Sequence, residues 1–230
     1  MKPEIRGFAD AGAMVTALAA SVAGTLEGAL RRTGRASLVV SGGRTPERLF
    51  GRLGVRRLDW ANVWITLADE RWVPAGDPAS NEALVRSSLL VGPAAAARFV
   101  PLHTGDATPE AGEAACARRL AAMPRPFDLV LLGMGEDGHT ASLFPGSPDL
   151  RRALDGAGPC AAVGAPGPAP ARMTLTMPTL LDAHRIAILV TGDAKRAVLD
   201  AALAPGPVED MPVRAVLRQD GVPVEIFWAP

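Results

Sequence analysis

The chain has 230 residues, 24 basic against 24 acidic, for a formal net charge of zero, and 48% of its residues are hydrophobic. That length suits one large α/β domain or two small ones, and the balanced charge gives no basic stripe of the kind that tracks a phosphate backbone, which argues against nucleic acid as a partner. No apolar run reaches the roughly 18 residues of a membrane span, the start MKPEIRGFADAG lacks the apolar core of a signal peptide, and Cys116 and Cys160 match no metal or redox spacing, so a cytoplasmic enzyme or binding protein without a metal, acting away from membranes, is expected.

Strand-like and helical stretches alternate along the chain, the pattern of a mostly parallel sheet flanked by helices. An Ala-rich segment from about residue 9 to 32, with Val15, Leu18, Val22 and Leu26 at helical spacing, reads as the first helix. The run SLVV (37–40) reads as a short strand and leads into SGGRTPERLF. Another strand is expected at 63–68, a helix at 80–90, a weaker strand at 99–102 and a helix at 109–123. FDLVLL (127–132) has the length and character of a buried strand. Residues 156–171 are rich in Gly, Pro and Ala and read as an exposed loop with a short strand around Ala162. RMTLTM alternates as a half-buried strand, RIAILVTG reads as a buried strand, GDAKRAVLDAAL as a helix and VEIFWA as a closing strand. No internal repeat and no separating linker is visible, so a single domain over 1–230 is expected.

Four places carry residues that a plain scaffold does not need. After FDLVLL the chain breaks into Gly133, Gly135, Glu136, Asp137, Gly138 and His139. Glycines let backbone approach a ligand closely. A carboxylate two residues from an imidazole at the carboxyl end of a strand is where an open α/β sheet holds its chemistry. In SGGRTP, Gly42 and Gly43 expose N–H groups before a helix start, with Thr45 as the expected N-cap and Pro46 in the first turn, a combination that suits an anion. It is neither the P-loop nor the dinucleotide fingerprint.

LADERWVP sets Asp69, Glu70 and Arg71 at the end of a third strand, where the acids could bind sugar hydroxyls or share a proton with His139, and Arg71 could meet phosphate or brace the carboxylates. Lys195 sits in the first turn of a helix that Asp193 is expected to cap. Only Lys2 and Lys195 are lysines, the other 22 basic residues being arginine, so a lysine at this position suggests a compact point charge is wanted. Arg172 and Asn81 carry weaker signals. His103 and His184 read as structural, and no G-x-S-x-G is present.

SGGRTP, LADERWVP, SNEALVRSSLL, FDLVLLGMGEDGHTASLFPG and RMTLTMPTLLDAHRIAILVTGDAK, in this order, resemble the 6-phosphogluconolactonase family over about residues 37–196. The resemblance implies a three-layer α/β/α fold shared with glucosamine-6-phosphate deaminases and ribose-5-phosphate isomerases. It implies hydrolysis of 6-phospho-D-glucono-1,5-lactone in the oxidative pentose phosphate pathway, with a small sugar-phosphate lactone as substrate and no cofactor or essential metal. Carried over, His139 matches the acid/base and Asp137 the acid beside it. Gly42, Gly43, Thr45, Arg71, Arg172 and Lys195 match the sugar-phosphate site; Asp69 and Glu70 are expected to bind substrate from the residue pattern alone. The deaminases carry a further catalytic acid near the position of Phe144, and an apolar residue cannot supply that proton transfer. An aldose–ketose isomerase or deaminase acting on an amino-sugar phosphate, or a non-catalytic sugar-phosphate sensor, is the alternative reading.

Overall fold

The runs that read as strands assemble into a seven-stranded parallel sheet in the computed structural model, which describes residues 2–230. The elements in chain order are β1 (Glu4–Gly7), α1 (Ala11–Thr33), β2 (Ala36–Val40), α2 (Arg44–Leu53), β3 (Val63–Leu67), β4 (Asp69–Arg71), α3 (Asn81–Ser88), β5 (Arg98–Val100), α4 (Pro109–Leu120), β6 (Leu129–Gly133), α5 (Leu150–Asp155), β7 (Cys160–Val163), β8 (Arg172–Leu175), α6 (Met177–Leu181), β9 (Ile186–Thr191), α7 (Asp193–Leu203), α8 (Val213–Arg218) and β10 (Val224–Ala229). The strand order is β1-β10-β9-β6-β2-β3-β5, with every neighbouring pair parallel. Helices flank the sheet, as the alternating pattern predicts. Strands covered on both faces read as unbroken Val, Ile and Leu runs, and every residue of β2 is buried, as is every residue of β9 except Thr191.

Helix α1 corrects one expectation. An 18-residue stretch within its 23 residues reaches a mean hydropathy of 1.4, long and apolar enough by that measure to cross a membrane. Its apolar residues are already used, however. Met14, Val15, Leu18, Val22, Leu26 and Ala29 recur at three- and four-residue spacing and are buried in the core, where the helix lies against α2, β2 and β10. Asp10 caps its start, accepting from the Ala13 N–H at 2.8 Å, and Gly34 closes its end in the left-handed conformation at φ 73.

A second, three-stranded antiparallel sheet, β4-β8-β7, stands beside the first. The charged triplet Asp69–Arg71 forms its edge strand, pairing Asp69 with Thr174 and Arg71 with Arg172. The Ala68 N–H donates to Val40 O at 2.8 Å and the Leu175 N–H to Ala68 O at 2.8 Å, which ties the small sheet to the large one. Both sheets contribute to a single apolar core. This second sheet, β1, and the six-residue helices α5 and α8 are not foreseen in the sequence.

The strand order sets the position of any site. From β2 the chain proceeds outward through β3 and β5, whereas β6, β9 and β10 fill the other side. The order therefore reverses between β2 and β6, which pair through Leu38–Leu129 and Val39–Val130. A crevice opens at the carboxyl ends of the strands at such a reversal. Both glycine turns leave the sheet there.

Candidate active site

A cavity of about 540 Å³ occupies this crevice. Its walls come from the β2–α2 turn (Gly42, Gly43, Thr45), from β4 (Asp69, Arg71), from the loop after β6 (Glu136, His139) and from the start of α7 (Lys195). Segments far apart in sequence thus meet because their strands end side by side.

His139 sits in a tight turn that only glycine permits. The Gly135 N–H donates to His139 O at 2.9 Å. The imidazole folds back over Gly135 so closely that a Cβ there would lie 2.1 Å from its Nδ1. Gly138 takes φ 79, and its carbonyl accepts from the Val213 N–H at 2.9 Å, pinning the turn to the start of α8. No helix follows directly. Ala141 instead adopts φ 49, alone among the described non-glycine residues in having a positive φ, a mark of local strain.

Asp137 Oδ1 accepts from the His139 N–H at 3.1 Å and lies 2.5 Å from His139 Nδ1. Burial alone would raise the Asp137 pKa. The backbone N–H of His139, the charge of its ring and the ring hydrogen bond outweigh that, and hold the carboxyl below its ordinary value of 3.8. An ionised carboxylate only accepts, so Nδ1 is the protonated nitrogen facing it, and in the neutral tautomer the lone pair falls on Nε2. The Phe144 ring packs against the imidazole with centroids 4.9 Å apart, where the deaminase resemblance would call for an acid.

Two helices start at the cavity without a side-chain cap. α1, α3 and α4 are capped by Asp10, Ser80 and Thr108. α2 and α7 begin instead at Gly43 (φ 116) and Gly192 (φ 90), and neither has a capping side chain. Thr45 and Asp193 are therefore not the N-caps that the sequence suggests. The hydroxyls of Thr45 and Thr191 lie 3.1 Å apart and join the two helix starts. Free N–H groups at a helix start attract anions. Lys195, in the first turn of α7, adds a charge that would oppose the helix dipole without one.

Alternation along β4 sorts the charged triplet. Asp69 and Arg71 face the cavity, and Glu70 does not. Asp69 Oδ2 accepts from the Ser142 hydroxyl at 2.7 Å, a bond between β4 and the His139 loop. The Arg71 guanidinium donates to Ala79 O at 2.5 Å. Glu70 is fully buried, and its carboxylate is taken up by the start of α3, so it is not the cavity residue expected of it. Arg172 also lies off the cavity wall, beside Arg71 across the β4–β8 ladder. Its Nε and Nη1 are buried without a hydrogen-bond partner. Burial lowers its pKa, as does the neighbouring Arg71 charge, against the partial opposition of Asp69 and Glu70.

Further wall residues carry little signal in the sequence. Arg44 and Arg48, one helical turn apart on α2, line the cavity, and in a chain with 22 arginines neither stands out. Neither they nor Lys195 form an ion pair with any described residue. Asn81 presses against the first glycine turn: a Cβ on Gly42 would lie 1.9 Å from its Oδ1. The cavity wall thus sets Arg44, Arg48, Arg71 and Lys195 against Asp69 and Glu136, an excess of positive charge, beside two uncapped helix starts and a single oriented imidazole.

The family model described as glucosamine-6-phosphate isomerases/6-phosphogluconolactonase matches residues 9–228. A 6-phosphogluconolactonase of Rhizobium meliloti is 43% identical over 232 residues, covering 100% of both chains. The crystal structure of a 6-phosphogluconolactonase from Shewanella baltica superposes with a TM-score of 0.98 at 43% identity, over 100% of this chain and 98% of the other. A monomeric glucosamine-6-phosphate deaminase of the NagB superfamily, 18% identical, shares the fold with a TM-score of 0.81 over 98% of this chain and 97% of its own.

Proposed function

The chain belongs to the glucosamine-6-phosphate isomerase/6-phosphogluconolactonase family, and from that premise we propose that it hydrolyses 6-phospho-D-glucono-1,5-lactone to 6-phospho-D-gluconate in the oxidative pentose phosphate pathway. The observation that carries this reading is the oriented imidazole: His139 Nδ1 is held by Asp137, so Nε2 is the free ring nitrogen in a cavity that also holds two uncapped helix starts.

A lactone is a cyclic ester. Nε2 of His139 takes a proton from water as the oxygen bonds to C1. The tetrahedral oxyanion then collapses, the bond from C1 to the ring oxygen breaks, and the imidazolium returns its proton to that oxygen. The acid formed ionises at neutral pH and releases one proton to solvent. Asp137 keeps the ring in the working tautomer and stabilises its cationic form. The phosphate binds at Gly42, Gly43 and Thr45 and at Lys195, with Arg71 beside it and Arg172 behind Arg71. Asp69 contacts sugar hydroxyls. Anchoring the distant phosphate holds C1 at the imidazole, and such positioning supplies several kcal/mol of a barrier.

The deaminase reading is disfavoured by Phe144, which fills the space beside His139 with an apolar ring. A single domain over residues 1–230 accords with the one apolar core. A cytoplasmic location accords with a phosphorylated substrate and two free, buried cysteines. The test is a pH-stat assay on freshly made 6-phosphogluconolactone, corrected for spontaneous hydrolysis. Proton release well above the spontaneous rate is expected. A rate equal to the blank, or ammonia release from glucosamine 6-phosphate, overturns the reading.

A further inference from the structure

Glu70 is fully buried between two cavity-facing neighbours, yet it accepts four hydrogen bonds. Oε1 accepts from the N–H groups of Arg71 at 2.7 Å and Asn81 at 2.8 Å. Oε2 accepts from the Glu82 N–H at 2.7 Å and the Ser80 hydroxyl at 3.0 Å. Every partner is a donor, the arrangement a carboxylate wants and a protonated acid cannot use fully. Burial holds its pKa above the ordinary carboxylate value, although the backbone N–H groups and the Ser80 hydroxyl pull against that.

The donors belong to two segments, 69–71 and 79–82, that are otherwise joined by only a few polar contacts. Asn81 Nδ2 donates to Asp69 O at 2.8 Å, and the Arg71 guanidinium donates to Ala79 O at 2.5 Å. Three of the residues fixed in this way, Asp69, Arg71 and Asn81, line the cavity. Asn81 in turn abuts Gly42 in the first glycine turn. Helix α3 contributes to the same brace, because its N-terminal N–H groups and their dipole face the carboxylate.

We infer that Glu70 is a positioning residue for the lactone hydrolysis: its buried carboxylate locks β4 to the start of α3 and so sets Asp69, Arg71 and Asn81 against the substrate without touching it. This rests on the lactonase reading, and the two fail separately. Absence of wild-type turnover removes that reading, whereas the brace is judged by variants relative to wild type and by exchange at backbone amides.

The experiment compares Glu70→Gln with Asp128→Asn. Asp128 is also a buried carboxylate on an amide, accepting from the Ser37 N–H at 2.9 Å, but it lies at the amino end of the sheet, away from the cavity. Both variants are expected to lower Tm. Only Glu70→Gln is expected to lower kcat, by roughly tenfold or more, with Asp128→Asn within about twofold of wild type. Amide hydrogen exchange at Asn81 and Glu82 should speed up in Glu70→Gln alone. Wild-type kcat and KM in folded Glu70→Gln would reduce Glu70 to a stability residue and overturn the inference. If Glu70→Gln does not fold, Ser80→Ala removes one donor to Glu70 together with the α3 cap and keeps the charge, so kcat and not exchange alone decides. A kcat lowered roughly two- to fivefold alongside faster exchange is then expected, and faster exchange at unchanged kcat overturns it.

Discussion

Nδ1 of His139 lies 2.5 Å from Oδ1 of Asp137, and the same oxygen also accepts from the His139 backbone N–H. The carboxylate therefore fixes the tautomer and the angle of the ring together. His139→Ala is expected to lower kcat by roughly 10²-fold or more, the usual scale of a general acid–base contribution, with Tm little changed because the ring is partly exposed. Asp137→Asn keeps the shape but no longer holds the ring tautomer by charge, and kcat should fall with a smaller change in KM. A coupled assay on both purified variants checks this, and a near-normal His139→Ala rate removes the residue from the mechanism.

Asp137 also predicts a pH dependence of stability. Its folded-state pKa is held below the ordinary 3.8, so the folded protein binds fewer protons than the unfolded chain in that window. The contribution is therefore present above the ordinary value and is lost as pH falls through the depressed one. Thermal melts of wild type and Asp137→Asn should differ near neutral pH and converge toward pH 3 and below. A gap that stays constant down the acid limb contradicts the assignment.

How much of this the sequence carried depends on how local each signal is. β2 and β9 are dominated by Val, Ile, Leu and Ala, and His139 and Asp137 lie two residues apart in one turn, so both are visible. β4 is three charged residues whose partner strand arrives about a hundred positions later, and three residues carry no periodicity. Alternation within that strand turns Glu70 away from the cavity, which is evident only once β4 is known to be a strand. The expected cap at Thr45 lost to tertiary context: Gly43 takes a positive φ that a threonine would resist, and the Thr45 hydroxyl faces Thr191, 146 residues away. Asp193 lost its cap role to Gly192 in the same way.

The Ser142–Asp69 bond spans 73 residues and joins the His139 loop to β4. Ser142 is 1% exposed and Asp69 9%. Ser142→Ala leaves one carboxylate oxygen of a largely buried cavity-wall residue without its donor, which costs about 1 kcal/mol of stability. It also frees Asp69 to rotate, so kcat/KM should fall several-fold. Chemical denaturation and initial rates on the same preparation check both, and an unchanged kcat/KM would restrict Ser142 to holding the loop.

Gly42 is required by space rather than by φ. A methyl group there would lie 1.9 Å from Asn81 Oδ1, and Asn81 cannot retreat without releasing Asp69 O. Gly42→Ala is expected to cost about 1–3 kcal/mol by overpacking and to lower turnover through the displaced wall. Gly51, whose added Cβ would meet nothing within 4 Å, gives the control: Gly51→Ala on α2 should melt at or slightly above the wild-type temperature. Equal melting temperatures for the two variants would show that the Asn81 contact yields easily.

Lys195 tests the anion site directly. It stands in the first turn of an uncapped helix, where a cation is opposed by the dipole unless an anion binds. Removing it relieves that opposition, so free Lys195→Ala should be no less stable than wild type. Binding should suffer instead: KM is expected to rise roughly tenfold or more, the scale of one charge-assisted hydrogen bond, with a smaller change in kcat. Inorganic phosphate should raise the melting temperature of wild type, because a ligand that binds only the folded state stabilises it, and should raise that of Lys195→Ala far less. A variant with wild-type KM and the full phosphate-dependent shift would leave the helix starts and the arginines as the whole of the anion site.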